Sequence, residues 1–370
     1  MHRNDALEGD ASVLKRLSKN TRWQFARIRK KLNRKVHKAF IRERRRKLLL
    51  RKLKGQPREK PLRLSAPEIF SLESDATRGP LVHFLAELRQ TVFSKPANGI
   101  VIDFAKTHRF ISSATLLFYA ELHRLIELMG DQVHVRCKPP KNDRACEVLR
   151  QIGVYHMCGQ NIRKRHGYYD DVVHWRVAHG SLVDNSLCAP AIEEFEGQLA
   201  EPLVNGLFRG LGEAMTNAIH HAYLEIREDG LNYKPAHNDW WMFSQARQGY
   251  LSVVFCDLGI GIPKTLPIKK PGVFERILAM GRSSSDAACI EYAIEDSRTR
   301  TGLSERGRGL GNIVNVVSGL KKGVVMVLSN RGFYLSKNGI EPKTYDLKDS
   351  ILGTLIYWRV PLDGVLPHGK

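Results

Sequence analysis

The positive charge of this chain is confined to one end, and that confinement bounds what can fold. Of a formal +21, residues 1–64 carry +18, from 23 Lys and Arg against 5 Asp and Glu, whereas the other 306 residues hold 36 against 33. Like charge at that density opposes collapse, so a packed body has to come from the remainder, which is long enough for two domains of ordinary size. Within the arm Leu14, Leu17, Phe25, Ile28, Leu32, Val36 and Ala39 fall three, four or eight apart, one face of a helix with Lys and Arg around the rest. Such a cationic amphipathic helix suits a phosphate backbone, an anionic membrane surface or an acidic partner, or it packs its stripe on the body. No base-reading motif accompanies it, so nucleic acid or another polyanion would be held with weak sequence preference and steep salt dependence.

Other classes are disfavoured early. No stretch has the roughly 18 uninterrupted apolar residues of a membrane span, and the charged N-terminus lacks the apolar core of a secretory signal, so a cytoplasmic chain is expected. Cys137, Cys146, Cys158, Cys188, Cys256 and Cys289 are scattered without a Cys-x-x-Cys pair, which suggests reduced thiols. His156, Cys158, His166, His174 and His179 match no standard zinc-ligand spacing.

Three prolines within residues 55–68 (GQPREKPLRLSAPE) read as a linker closing the arm. From about 65 to 185 strand and helix patterns alternate: a helix over 81–93, a strand over 99–104, a helix over 113–129, a strand over 133–137 and a helix over 142–152. This alternation predicts a small α/β layer. Its central stretch, IVIDFAKTHRFISSATLLFYAELHRL at 100–125, resembles the strand, loop and helix of a STAS domain, the module of anti-anti-sigma factors. In that family the loop is close to Asp-Ser-Ser-Gly, and one serine is phosphorylated at the helix N-terminus. Here Ser112-Ser113-Ala114-Thr115 lacks the aspartate and glycine, which favours helix-capping serines over a phosphorylated Ser113.

The C-terminal half carries four chemical motifs. In LFRGLGEAMTNAIHHAY at 207–223, Leu207, Leu211, Ala214 and Ala218 mark a buried helix stripe, while Glu213, Asn217 and His221 step by four along a polar row. An amide oxygen suits a hard cation such as Mg2+, and a carboxylate one turn away can take a proton from an attacking hydroxyl or water. The apolar strand YLSVVFC at 250–256 runs into Asp257-Leu258-Gly259-Ile260-Gly261-Ile262-Pro263. An aspartate there can accept from an exocyclic amine while the glycines let backbone lie against a flat ring. In Arg306-Gly307-Arg308-Gly309-Leu310-Gly311-Asn312, glycines at alternate positions open a helix and free backbone amides for phosphate oxygens. Neither the dinucleotide fingerprint nor a Walker Gly-Lys-Ser/Thr is present. Last, Gly353-Thr354 sits in SILGTLIYWRVP at 350–361, which reads as a late strand whose threonine hydroxyl can reach the adenine side directly or through water.

In this order the four motifs resemble the GHKL ATPase superfamily, the fold of gyrase and histidine-kinase ATP domains, across residues 203–362. The helix motif is most similar to anti-sigma-factor serine kinases, whose usual partner is a STAS protein. The resemblance implies an α/β (α+β) architecture: a Bergerat-type sandwich at 186–370, a STAS-like α/β domain at 65–185, and a basic helical arm with its linker at 1–64. It implies ATP and Mg2+ as ligands. Asn217 would hold Mg2+, Glu213 would be the catalytic base, and Asp257 would take adenine N6 with Gly259 and Gly261 beside the ring. Gly307, Gly309 and Gly311 would wrap the phosphates, and Thr354 would support the adenine. The segment between Gly261 and Gly307 would be a hinged ATP lid, with Pro263, Pro267, Pro271 and Gly272 suiting a mobile stretch and helices near 274–280 and 289–294. Many relatives pair around ATP, so a homodimer is one arrangement, and a STAS or other regulatory protein is a second kind of partner. No helix pair bearing a phosphoacceptor histidine precedes the ATP domain, which argues against a sensor kinase. Three functions stand: an ATP-hydrolysing switch, a protein-serine kinase of the anti-sigma type, and a non-hydrolysing ATP-binding scaffold tethered by its arm.

Overall fold

The strand that carries Asp257 is apolar at successive positions rather than alternate ones, the pattern of a strand buried on both faces. The computed structural model bears this out. It describes residues 60–362 except 97, 164–168, 174, 193–194, 196–197, 200, 339 and most of 300–321. The basic arm at 1–59 and the glycine motif at 306–312 lie outside the described residues. The architecture is mixed α+β.

A parallel sheet in the order β1-β3-β5 is built from β1 (Leu62–Ser65), β3 (Ile100–Asp103) and β5 (Val135–Lys138), beside a short pair of β2 (Ile69–Phe70) and β4 (Arg109–Phe110). Three helices accompany it: α1 (Asp75–Phe93), α2 (Ser112–Met129) and α3 (Asp143–Gln151). The α1 helix starts six residues before the periodic stretch that announced it. Pro80 lies within it but close to the start, where few ladder bonds are forfeited. Asn142 caps α3 by accepting from the Ala145 amide at 2.9 Å. The serines of α2 do not cap. Ile111 is the N-cap residue, its carbonyl taking the Thr115 amide and hydroxyl, and Ser112 and Ser113 are buried in the first turn.

The second sheet has seven strands, all paired antiparallel, in the order β11-β10-β9-β12-β8-β7-β6. They are β6 (Arg176–Gly180), β7 (Trp240–Arg247), β8 (Tyr250–Asp257), β9 (Val324–Ser329), β10 (Gly332–Lys337), β11 (Ile340–Asp346) and β12 (Thr354–Pro361). Side-chain alternation splits its central strands between two cores. Trp241, Phe243, Val254, Cys256 and Leu355 join the core formed around β1, β3, β5, α1 and α2. Trp240, Met242, Val253, Phe255, Ile356 and Trp358 join Leu207, Leu211, Ala214 and Met215 of α4 (Glu201–Asn217) on the opposite face.

Residues 60–370 accordingly pack as one compact unit. The strand just before the 185/186 boundary, β6, pairs with β7 as an edge of the large sheet, and α2 lies against β7 and β8. Tyr119 of α2 meets Phe243 edge-on at 5.5 Å between ring centroids. Among the described residues no helix is long and apolar enough to cross a membrane. All six cysteines are buried and none forms a disulfide.

Candidate functional site

Register brings the distant motifs together. The antiparallel pairing of β12 with β8 sets Thr354 opposite Asp257, and that of β12 with β9 sets Thr354 opposite Ser329. The Asp257 carboxylate accepts from the Gly259 amide at 3.0 Å, and the amide and hydroxyl of the facing Thr354 act to lower its pKa. Burial pushes its pKa up to about 6, against the lowering effect of those donors and of the nearby Arg227 guanidinium.

Behind this pair runs a polar clamp that the sequence did not announce. The Ser329 hydroxyl lies 3.1 Å from that of Thr354 and accepts from the Ile262 amide at 2.8 Å. Asn330 donates through Nδ2 to the Ile260 carbonyl at 2.8 Å and accepts the Gly353 amide through Oδ1 at 3.2 Å. The β9–β10 turn therefore ties the Asp-x-Gly-x-Gly turn to the strand opening at Thr354. Asn-Arg-Gly between two strand patterns is a legible hairpin signal, but it names no contact across some seventy residues of chain.

The two glycines after Asp257 have a nearer task than admitting a flat ring. A Cβ on Gly259 would lie 2.1 Å from the Ala222 carbonyl oxygen, and one on Gly261, at φ +81°, would lie 2.6 Å from Asn330 Nδ2. Their missing side chains let the turn close against its own protein neighbours.

The polar row of α4 approaches from the other side. Its buried stripe, Leu207, Leu211, Ala214 and Ala218, sits on the sheet as expected, with Glu213 half-buried and Asn217 exposed. Partial burial raises the Glu213 pKa, with Arg209 pulling the other way. Beyond Asn217 the helix widens into a π turn over Ala218–Ala222, which carries His221 off the Glu213–Asn217 line. That turn meets the glycine segment directly: Ala222 accepts the Ile260 amide at 2.7 Å, and the His221 carbonyl accepts the Thr265 hydroxyl at 3.2 Å. Tyr223 follows, its phenol accepting the Leu258 amide at 3.1 Å and donating to the Asp239 carbonyl at 2.5 Å.

After Gly261 the chain enters three helices, α5 (Ile262–Lys269), α6 (Val273–Ala279) and α7 (Asp286–Thr299). The prolines expected to loosen this stretch are partly absorbed into structure. Pro263 sits in the first turn of α5, where no amide is needed, and Pro267 lies inside the same helix. Leu266, Val273, Ile277, Ala288, Cys289 and Tyr292 form a small core of their own. The α7 helix is fastened to the sheet, since the Asp346 carboxylate accepts the Ala287 amide at 2.7 Å and Asp286 accepts the Arg331 amide at 2.9 Å.

Asp257, Gly259, Gly261 and Thr354 thus meet at one end of the large sheet, with the π turn that follows α4 packed against the glycines. Gly307, Gly309 and Gly311 lie outside the described residues, as do His166 and His174. Among the described residues no group of three His, Cys, Asp or Glu side chains is placed to hold a metal; Asn217 and Glu213 together offer two oxygen donors, a set compatible with a cation that keeps most of its water. No protein-family model matches the chain, and no curated protein matches it.

Proposed function

We propose that this chain is an ATP-binding protein of the GHKL type, acting as a Mg2+-dependent, ATP-hydrolysing regulatory switch. The observation that carries the reading is the Asp257 carboxylate: buried at the end of its strand, bonded by the Gly259 amide and set opposite Thr354, with neutral donors around it and the chemistry to accept from an exocyclic amine. In this reading Asp257 accepts adenine N6, and Thr354 fixes the orientation of that carboxylate. Asn217 holds Mg2+, which when bound offsets phosphate charge. Glu213 removes a proton from the attacking water, and a pKa raised by burial suits a base working near neutrality. Gly307, Gly309 and Gly311 wrap the phosphates through their amides. The layer around α1 and α2 takes the role of the STAS-like element, and the arm at 1–64 binds nucleic acid or another polyanion.

Calorimetric titration of the full chain with Mg2+ and a slowly hydrolysed ATP analogue tests the binding claim. Saturable heat is expected, and none at millimolar ligand overturns it. Incubation with γ-labelled ATP then assigns the reaction. Free phosphate supports the switch; labelled protein identifies a serine kinase, and intact bound nucleotide a scaffold, each of which replaces it.

A further inference from the structure

Five charged side chains from three stretches of chain meet in the interior, away from the motifs: Arg89 of α1, Glu121 and Arg124 of α2, and Arg227 and Asp229 after the π turn. Glu121 accepts from Arg124 at 2.7 Å through Oε1 and from Arg227 at 2.8 Å through Oε2, with Arg89 Nη1 at 3.5 Å. Asp229 Oδ2 accepts from Arg124 at 2.5 Å and lies 3.5 Å from Arg227 Nη1. Three guanidinium groups against two carboxylates leave one positive charge over, which a low-dielectric interior does not tolerate alone.

Arg227 is where this cluster touches the strand opening at Thr354. Its Nε donates to the Leu352 carbonyl at 2.7 Å. Leu352 has a left-handed backbone at φ +53° and immediately precedes Gly353 and Thr354. The guanidinium is also a positive charge that lowers the Asp257 pKa. One side chain thus bonds to α2 through Nη1 and to the base-reading edge through Nε.

We propose that Arg227 is a positioning residue for base selection: by holding the Leu352 carbonyl two residues before Thr354 and adding a positive charge near Asp257, it keeps Thr354 set against that carboxylate and the carboxylate anionic, and through Glu121 it couples the pair to α2. The proposal rests on Asp257 being the adenine acceptor. An ionised carboxylate accepts from the amine of ATP, whereas a protonated one can donate to the 6-oxo group of inosine triphosphate, so the ATP preference reports the charge of Asp257. The titratable and charged groups facing it are Arg227, Tyr223 and Cys256. Burial holds both the Tyr223 phenol and the Cys256 thiol well above their ordinary values, so neither ionises between pH 5 and 8. Thr354 and Gly259 face it only with neutral donors.

The test is ATP and inosine triphosphate affinity of the full chain between pH 5 and 8.5, for wild type, Arg227→Met, Arg227→Lys, Glu121→Gln and Asp257→Asn. Wild type is expected to prefer ATP and to lose that preference toward acid. Arg227→Met raises the midpoint of that loss by about one pH unit, roughly a tenfold change in ionisation, while Arg227→Lys keeps the charge and restores the midpoint. Should Arg227→Met not fold, Glu121→Gln decides, because deleting a negative charge beside Arg227 moves the midpoint the other way. Midpoints unmoved in the folded variants overturn the proposal. If wild type discriminates and Asp257→Asn does not, only the role of Arg227 is at stake; if wild type binds both nucleotides equally and Asp257→Asn changes nothing, the adenine reading itself has failed.

Discussion

A buried carboxylate surrounded mainly by neutral donors is an expense to the fold that a ligand can offset. Asp257 has its pKa pushed up to about 6 by burial, so folding favours its protonated form relative to the unfolded chain, although the group is ionised at neutral pH. For an acid raised in this way the stabilising contribution is complete below the unfolded value near 3.8 and disappears as pH rises through about 6. Asp257→Asn lacks this dependence. Relative to wild type, its melting temperature without nucleotide is expected to improve between pH 4 and 7, read by thermal denaturation across that range. ATP binding should move oppositely. A hydrogen bond to a charged group contributes about 1.5–3 kcal/mol, so the same substitution weakens ATP roughly ten- to a hundredfold by calorimetry. Glu213→Ala is expected to keep ATP affinity and abolish phosphate release, since a general base acts on the reaction rather than on ground-state binding; undiminished turnover would remove Glu213 from the mechanism. Asp257, Gly259, Gly261, Thr354 and Glu213 were all legible as chemistry in the sequence. Ser329, Asn330 and Arg227 were not, because each acts on backbone groups supplied by residues far along the chain.

At the level of elements, the π turn over Ala218–Ala222 and the turn after β8 are mutually fitted. The Ala222 carbonyl takes the Ile260 amide and sits where a Gly259 side chain would begin. Gly259→Ala should therefore destabilise the protein by about 1–3 kcal/mol in denaturant titrations, the usual cost of forcing extra volume into a packed site. The three helices after Gly261 divide in the same terms. The α7 helix is pinned by Asp286, Ala287 and the Thr344–Glu291 bond, whereas α6 exposes Phe274 and Leu278. Hydrogen exchange with and without Mg2+ and ATP is expected to slow in α5 and α6 and to change little in α7; uniform protection, or none, would remove the lid reading. Helices and strands here were readable from periodicity because each needs only its own neighbours. The helical state of 262–269 was obscured by two prolines, one of which occupies the tolerated first turn.

Among the described residues, the large sheet is covered on one face by α2, which is continuous with the core around α1 and the small parallel sheet, and on the other by α4 and α7. Residues 186–370 alone would expose Trp241, Phe243, Val254 and Leu355 to water, so that fragment is expected to aggregate or stay unfolded, and residues 60–370 to unfold in one cooperative transition by calorimetry. The sequence by itself determined where the charge lies, the helices and strands between 81 and 152, the helix of the Glu213 motif and the strands that carry Asp257 and Thr354, and which side chains have the chemistry for a purine and a cation, because composition and short-range spacing are local properties. Only the tertiary structure decided that β6 belongs to the large sheet, that Ser329 and Asn330 clamp the glycine turn, and that Arg227 joins Glu121 to Leu352. Those facts depend on strand register and on the pairing of buried charges, and neither is set by residues close together along the chain.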